Sequence, residues 1–247
     1  MKQKNILILV ILVIIIIGSA VFLFFNKNII TTVLAPQSPD KATVLTIQDK
    51  KITDRTSPFV IDIIYPYISG FDDFNKKAED IINKELENFK INSLENEIAV
   101  KETDPMNYAE HPREYVLNIG YNKGQIDIDN ISIIFNIYSF QGGAHGASYF
   151  IPLNYNTKSK QEIKLADLFP NQPDYLQKIS DYCVADLKKQ LTKSLGNLDG
   201  TWIQDGAGPS ENNYSTFLIN KDNIIFYFPQ YQVAFYAAGD FKVIYPR

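Results

Sequence analysis

The chain is poor in reactive side chains. It has one cysteine, Cys183, in 247 residues. A single cysteine excludes an internal disulfide. It falls in a helical apolar pattern, where a small buried thiol is the expected role. Histidine is nearly as scarce, with only His111 and His145. A zinc site would need these two and carboxylates gathered by the fold, and no metal-ligand spacing announces one. There is no Gly-x-Ser-x-Gly elbow. Gly206-Ala207-Gly208-Pro209-Ser210 lacks the lysine and spacing of a phosphate loop. Asp62 with Asp72-Asp73 could be imagined as a glycosidase set. Asp72-Asp73, however, opens a helix, where carboxylates suit the macrodipole. No catalytic residue, metal or cofactor is assigned.

Positive charge is also in short supply beyond the N-terminus. Lys2, Lys4 and Lys27 are the only ionisable side chains of residues 1–27. The remaining 220 residues therefore hold 21 basic and 28 acidic side chains, a net of −7. Nucleic acid is a poor partner for such a body, because phosphate binding needs a basic face. A cationic partner is electrostatically welcome.

What the chain does have, at its start, is a long apolar run. Ile6–Phe25 is twenty residues without a charge. As a helix it would span ~30 Å, the thickness of a bilayer core. Lys2 and Lys4 on the short flank favour that flank in the cytoplasm and residues 28 onward outside. Residues 1–27 are thus expected to be a membrane anchor, giving a single-pass protein of the cytoplasmic membrane with its C-terminal domain outside. The alternative is secretion after cleavage near Ala35, following Val33-Leu34-Ala35. The run exceeds the ~7–15 residues of a signal peptide's apolar region, and Pro36 would follow the scissile bond. Five residues precede the run, so inward signalling would need a partner.

Residues 28–42, with Pro36 and Pro39, read as a linker. Thr43–Gln48 and Phe59–Tyr65 read as strands. Phe71, Phe74, Ala78, Ile81, Ile82, Leu86 and Phe89 form one apolar stripe, which predicts a helix. Glu114–Asn122 alternates, Asn122-Lys123-Gly124 suggests a tight turn, and Ile126–Tyr138 returns as a strand. Ala147–Tyr155 follows as a third strand, with Pro152 pointing to an edge or bulge. Leu176, Ile179, Cys183, Leu187, Leu191 and Leu195 predict a second helix, stopped at Gly196. Residues 197–213 read as a loop carrying the sole tryptophan, Trp202. Strands resume at 216–219, 224–228 and 241–245. The class expected is α+β, mostly antiparallel sheet with two helices, in two similar β-α-β halves behind one N-terminal transmembrane helix.

The sharpest local feature is Gly142-Gly143-Ala144-His145-Gly146. Glycines around a histidine permit close backbone approach. Either the loop offers N–H groups and an imidazole to a ligand, or His145 caps backbone carbonyls in a glycine-shaped connection. The same segment, with Ser132, Tyr138, Asn154-Tyr155-Asn156, Leu165 and Asp167-Leu168-Phe169, resembles an extracytoplasmic bacterial domain family. That family is shared by RsiV, a lysozyme-sensing anti-sigma factor, and the non-catalytic region of the peptidoglycan deacetylase PdaC. Phe228-Pro229-Gln230-Tyr231-Gln232-Val233-Ala234 resembles its C-terminal stretch, and Tyr65-Pro66, Gly70 and Ile82-Asn83 its smaller preceding domain. Asn156-Thr157-Lys158-Ser159-Lys160 departs from the family's usual turn. The resemblance implies a small β-α domain at 43–110 and a C-terminal domain at 111–247. It also implies a non-enzymatic envelope module recognising a lysozyme-like protein or a peptidoglycan fragment. Loop and aromatic residues make Tyr138, Gly142, Gly143, His145, Trp202 and Tyr231 the candidate ligand contacts. The enzymatic alternative is a cell-wall glycan hydrolase or deacetylase using His145.

Overall fold

The computed structural model describes residues 45–111, 113–196 and 200–247, which belong to one compact unit. The apolar run Ile6–Phe25 and the linker lie outside the described residues. Among the described residues, no helix is long and apolar enough to cross a membrane.

Six strands form the first sheet in chain order: β1 (Ile47–Asp54), β2 (Phe59–Ile68), β3 (Tyr115–Ile126), β4 (Asn130–Phe140), β5 (Ala147–Asn156) and β6 (Gln161–Glu162). Helices α1 (Asp72–Thr103) and α2 (Pro105–Glu110) connect β2 to β3. That long crossover is what lets β2 and β3 run parallel, while every other pair is antiparallel. The sheet is therefore mixed. It also runs across residue 110, since β2 and β3 are hydrogen-bonded neighbours.

Alternation gives this sheet two unlike faces. One carries Ile61, Ile63, Tyr115, Leu117, Ile119, Ile131, Ile133, Phe135 and Ile137. It is buried beneath Phe74, Ala78, Ile82 and Phe89 of α1. Asp72 and Asp73 lie in the first turn of α1, as their charge predicts. Asn75 ties the helix to β2 by bonding both the N–H and the carbonyl of Ile68.

The second half is a helix on a small antiparallel sheet. Helix α3 (Tyr175–Leu195) ends at Gly196, whose φ of 78° is the left-handed stop that the glycine predicts. Ile179, Cys183, Leu187 and Leu191 of α3 pack on β7 (Phe217–Ile219), β8 (Asn223–Phe228) and β9 (Phe241–Pro246). The two sheets meet through Ile134, Leu218 and Tyr227, flanked by Phe150 and Ile225.

Five expectations need correction. The first strand begins at Ile47 and extends to Asp54, because an edge strand with mostly exposed polar residues carries no apolar alternation. Asn122–Gly124 is not a turn but lies within β3, beside a register shift. A Cβ on Gly124 would lie 2.3 Å from the Ile219 carbonyl, so this glycine permits close approach of β7. The reversal comes later, where Asp127 accepts bonds from the N–H groups of Asp129 and Asn130. Residues 201–207 form a helix, α4 (Thr201–Ala207), that buries Ile203 and Ala207. The described residues thus hold four helices rather than two, and the two halves are not alike.

Candidate functional site

The face of the first sheet that α1 leaves uncovered packs in part on the second sheet, through Ile134 and Phe150, and elsewhere carries a row of polar side chains. Asp62 on β2 pairs with Asn118 on β3, Asn118 with Tyr138 on β4, and Tyr138 with Ser148 on β5. These four side chains make one row across the strands, over three strand spacings or about 14 Å. Beside it runs a second row, Gly120–Asn136–Phe150. With Ile64, Asp240 and Lys242, these two rows line a cleft of about 470 Å³, a size that suits a small ligand.

Two loops lie against the Tyr138–Ser148 end of the first row. The first, residues 141–146, carries the glycine cluster and leads into β5. Gly142 and Gly143 have φ of 99° and 92°, a conformation that favours glycine. A Cβ on Gly142 would fall 2.3 Å from the Asn96 side chain of α1. Gly146 lies against the Tyr138 ring, with 2.6 Å from a would-be Cβ to the ring's tip. The second loop, residues 229–239, leads directly into Asp240 and Lys242.

The loops are joined through aromatic rings and amides. His145 stacks on Tyr236, with centroids 3.9 Å apart. Its Nδ1–H donates to the Gly146 carbonyl (3.0 Å), and the Tyr236 hydroxyl donates to the same oxygen (2.8 Å). Tyr231 lies next to Tyr236, at 5.6 Å between centroids. Tyr231 has φ of 70°, the left-handed region that costs a non-glycine residue ~1–2 kcal/mol. Its carbonyl accepts the Trp202 indole N–H (3.0 Å) from α4. The Ser148 N–H donates to Gln230 Oε1, and Gln232 donates to the carbonyls of Gly206 and Asn213.

The fold therefore brings Tyr138, His145, Tyr231 and Trp202 to one end of the uncovered face. Tyr138, Trp202 and Tyr231 remain 39–55 % exposed there. Gly142 and Gly143 shape the loop, and no carboxylate bonds His145 among the described residues. His145 therefore serves to join the two loops through Gly146 and Tyr236. His111 is exposed and stands apart from these contacts. Cys183 is buried in the second core, where desolvation and then the nearby Asp186 charge push its thiol up to about 12. No group of three metal-ligating side chains occurs among the described residues.

The charges at the cleft are arranged unevenly. Asp62 is paired with Arg55 (2.5 Å). The Lys242 ammonium lies over the rings of Tyr227 (4.8 Å) and Phe150 (5.9 Å). Burial raises the Tyr227 phenol, and a bond from Asn122 partly offsets this. Asp62 and Asp72-Asp73 do not come together, since Asp62 is on the open face and Asp73 pairs with Lys160.

Asn118, Asn136, Ser148, Asp240, Lys242 and Tyr236 were not singled out in the sequence, and Asp62 was considered only beside Asp72-Asp73. A signal was present in β3 and β4, where Asn118, Asn136 and Tyr138 fall on the face opposite the isoleucines. Reading it required the register that sets those residues side by side.

Comparison with known proteins finds two family models that match separate parts of the chain. Residues 52–148 match the family described as deacetylase PdaC, and residues 166–247 match the family of unknown function DUF3298. The peptidoglycan-N-acetylmuramic acid deacetylase PdaC of Bacillus subtilis is 31% identical over 134 residues, covering 54% of this chain and 28% of that protein. The chain thus corresponds to little more than a quarter of that relative's length. The immunogenic protein MPT64 of Mycobacterium tuberculosis is 26% identical over 162 residues, covering 63% of this chain and 68% of its own. Among solved structures, a DUF3298-family protein of Bacteroides fragilis superposes with a TM-score of 0.56 at 19% identity, covering 83% of this chain and 92% of that one. The chain carries a domain of the DUF3298/PdaC type.

Proposed function

We propose that this domain is a non-enzymatic, cell-envelope module that binds a peptidoglycan-derived saccharide in the cleft on the uncovered sheet face. The observation that carries the reading is the joining of a row of amide and hydroxyl side chains to an exposed aromatic rim. Asn118, Asn136 and Ser148 offer directional partners for sugar hydroxyl and acetamido groups. Tyr138 offers a ring face to the apolar side of a sugar. A peptidoglycan deacetylase among the relatives supports an envelope setting. In this reading the run Ile6–Phe25 holds the domain outside the cytoplasmic membrane.

A protein partner would need a broader and flatter contact, so the concavity of the cleft favours the saccharide. His145 acts here as the link between the two loops rather than as a catalyst. The test is titration of the full-length chain in detergent with soluble peptidoglycan fragments, alongside lysozyme at low and high salt. Saccharide binding should weaken about tenfold in Tyr138→Ala, the loss expected of a central aromatic contact. Binding of lysozyme alone, with no response to the fragments, would overturn the saccharide reading. Turnover of the fragments would overturn the non-enzymatic one.

A further inference from the structure

The outer face of α1 changes character along its length. Its first half is charged and paired with its surroundings: Lys76 with Asp80, Lys77 with Glu162 and Asp73 with Lys160. Its second half carries Ile91 and Ile98, which are 43 % and 57 % exposed, with the half-buried Leu94 between them. At 3.6 residues per turn these three fall in one narrow stripe, on the side away from Phe74, Ala78, Ile82 and Phe89. Single exposed apolar side chains are ordinary. These three stand at successive a, d and a positions of a heptad, the spacing by which one helix receives another.

The charges beside the stripe decide what a second helix must carry. Glu95 and Glu102 flank it at the two e positions, are exposed, and form no ion pair among the described residues. The cations on its other flank are already answered from within the domain. Lys90 pairs with Asp54 (3.1 Å), and Lys101 pairs with Glu97 (2.6 Å). Lys84 and Glu87, nearer the start of the helix, are both exposed, and they offset each other at i,i+3. The uncompensated charge alongside the apolar stripe is thus acidic.

We propose that this stripe receives a basic amphipathic helix of a partner protein, with Leu or Ile along its seam and Lys or Arg on its flanks. The seam from Ile91 to Glu102 is about 18 Å long, so the contact belongs with small, transient ones. A second copy of this chain would turn glutamates toward glutamates, since its own nearby lysines are bonded. An anionic lipid surface would meet the same acidic flank.

The test uses the full-length chain in phosphatidylcholine nanodiscs and two helical peptides of three heptads each. Both peptides carry Leu at a and d, and one has Lys at e and g where the other has Gln. Fluorescence anisotropy of each peptide is read against empty nanodiscs. The Lys peptide should bind about tenfold tighter than the Gln peptide at low salt, and high salt should remove the difference. Glu95→Gln combined with Glu102→Gln should erase the same difference while leaving the Gln peptide's affinity unchanged. Ile98→Gln, at an exposed position, should weaken both peptides about tenfold with an unchanged thermal melt. Equal affinity for the two peptides, a difference that survives the double glutamate substitution, or binding no stronger than to empty nanodiscs overturns the proposal. A dimer of the native chain that Ile98→Gln dissolves would assign the stripe to a second copy. Binding of phosphatidylglycerol vesicles that is lost in Ile98→Gln would assign it to lipid. Either of these outcomes overturns the proposal as well.

Discussion

Single residues decide how closely the parts of this domain approach. Gly206 is the sharpest case. It sits in the short helix α4, and a Cβ there would fall 1.8 Å from the backbone carbonyl of Gln232. The clash is with main chain, which cannot swing aside as a side-chain tip can. Gly206 also accepts a bond from the Gln232 amide (2.8 Å). Gly206→Ala should therefore lower stability by ~1–3 kcal/mol, the usual cost of overpacking, as read by denaturant melts. An unchanged melt would show that α4 and the 229–239 loop are not coupled this tightly. Gly146 shows the same logic in milder form, because its neighbour is the movable tip of Tyr138. His145 and Tyr231 gain their meaning only from such contacts, since neither residue names its partner in the sequence.

At the level of elements, the two sheets are fastened by polar groups as well as by packing. The Ser132 hydroxyl donates to Asn154 across β4 and β5, and Asn154 donates to the Phe217 carbonyl of β7 (3.0 Å). The Ile219 N–H in turn donates to Ser132 (2.8 Å). Both side chains are buried, so each bond satisfies a group that water cannot reach. Asn154→Ala would leave the Phe217 carbonyl and the Ser132 hydroxyl without this partner. It should cost ~1–3 kcal/mol in a denaturant melt, and double substitution with Ser132→Ala should cost less than the sum. Strict additivity would show that the two residues do not act as one bridge. The hairpin between β5 and β6 closes despite its unusual turn. Asn156 accepts bonds from the N–H groups of Lys158 and Ser159, and Lys160 supplies a φ of 58°.

For the whole molecule, the prediction concerns location. The charge-free run Ile6–Phe25 should keep the protein in the membrane fraction, released by detergent but not by salt or carbonate washing. In the proposed orientation, protease added to protoplasts should remove the folded domain. Recovery of a soluble form beginning at Pro36 would instead establish cleavage after Ala35. The net charge of −7 beyond residue 27 suits either setting and does not by itself choose a partner.

The long elements were legible because burial imposes a period. Phe74, Ala78, Ile82 and Phe89 announce one helix, and Ile179, Cys183, Leu187 and Leu191 another, since each must turn a stripe inward. Ile131, Ile133, Phe135 and Ile137 announce a strand for the same reason. Aromatics and glycines in loops pointed to Tyr138, His145, Trp202 and Tyr231 as a group, though not to what joins them. β1 gave no such signal, because an exposed edge strand need not alternate. The parallel pairing of β2 with β3, the row Asp62–Asn118–Tyr138–Ser148 and the placing of Lys242 over Phe150 came only with the tertiary structure. Local periodicity follows from neighbours along the chain, whereas register and the meeting of distant loops follow from which surfaces pack together. The sequence alone determined the inward-facing stripes and the apolar leader; the cleft arose from packing.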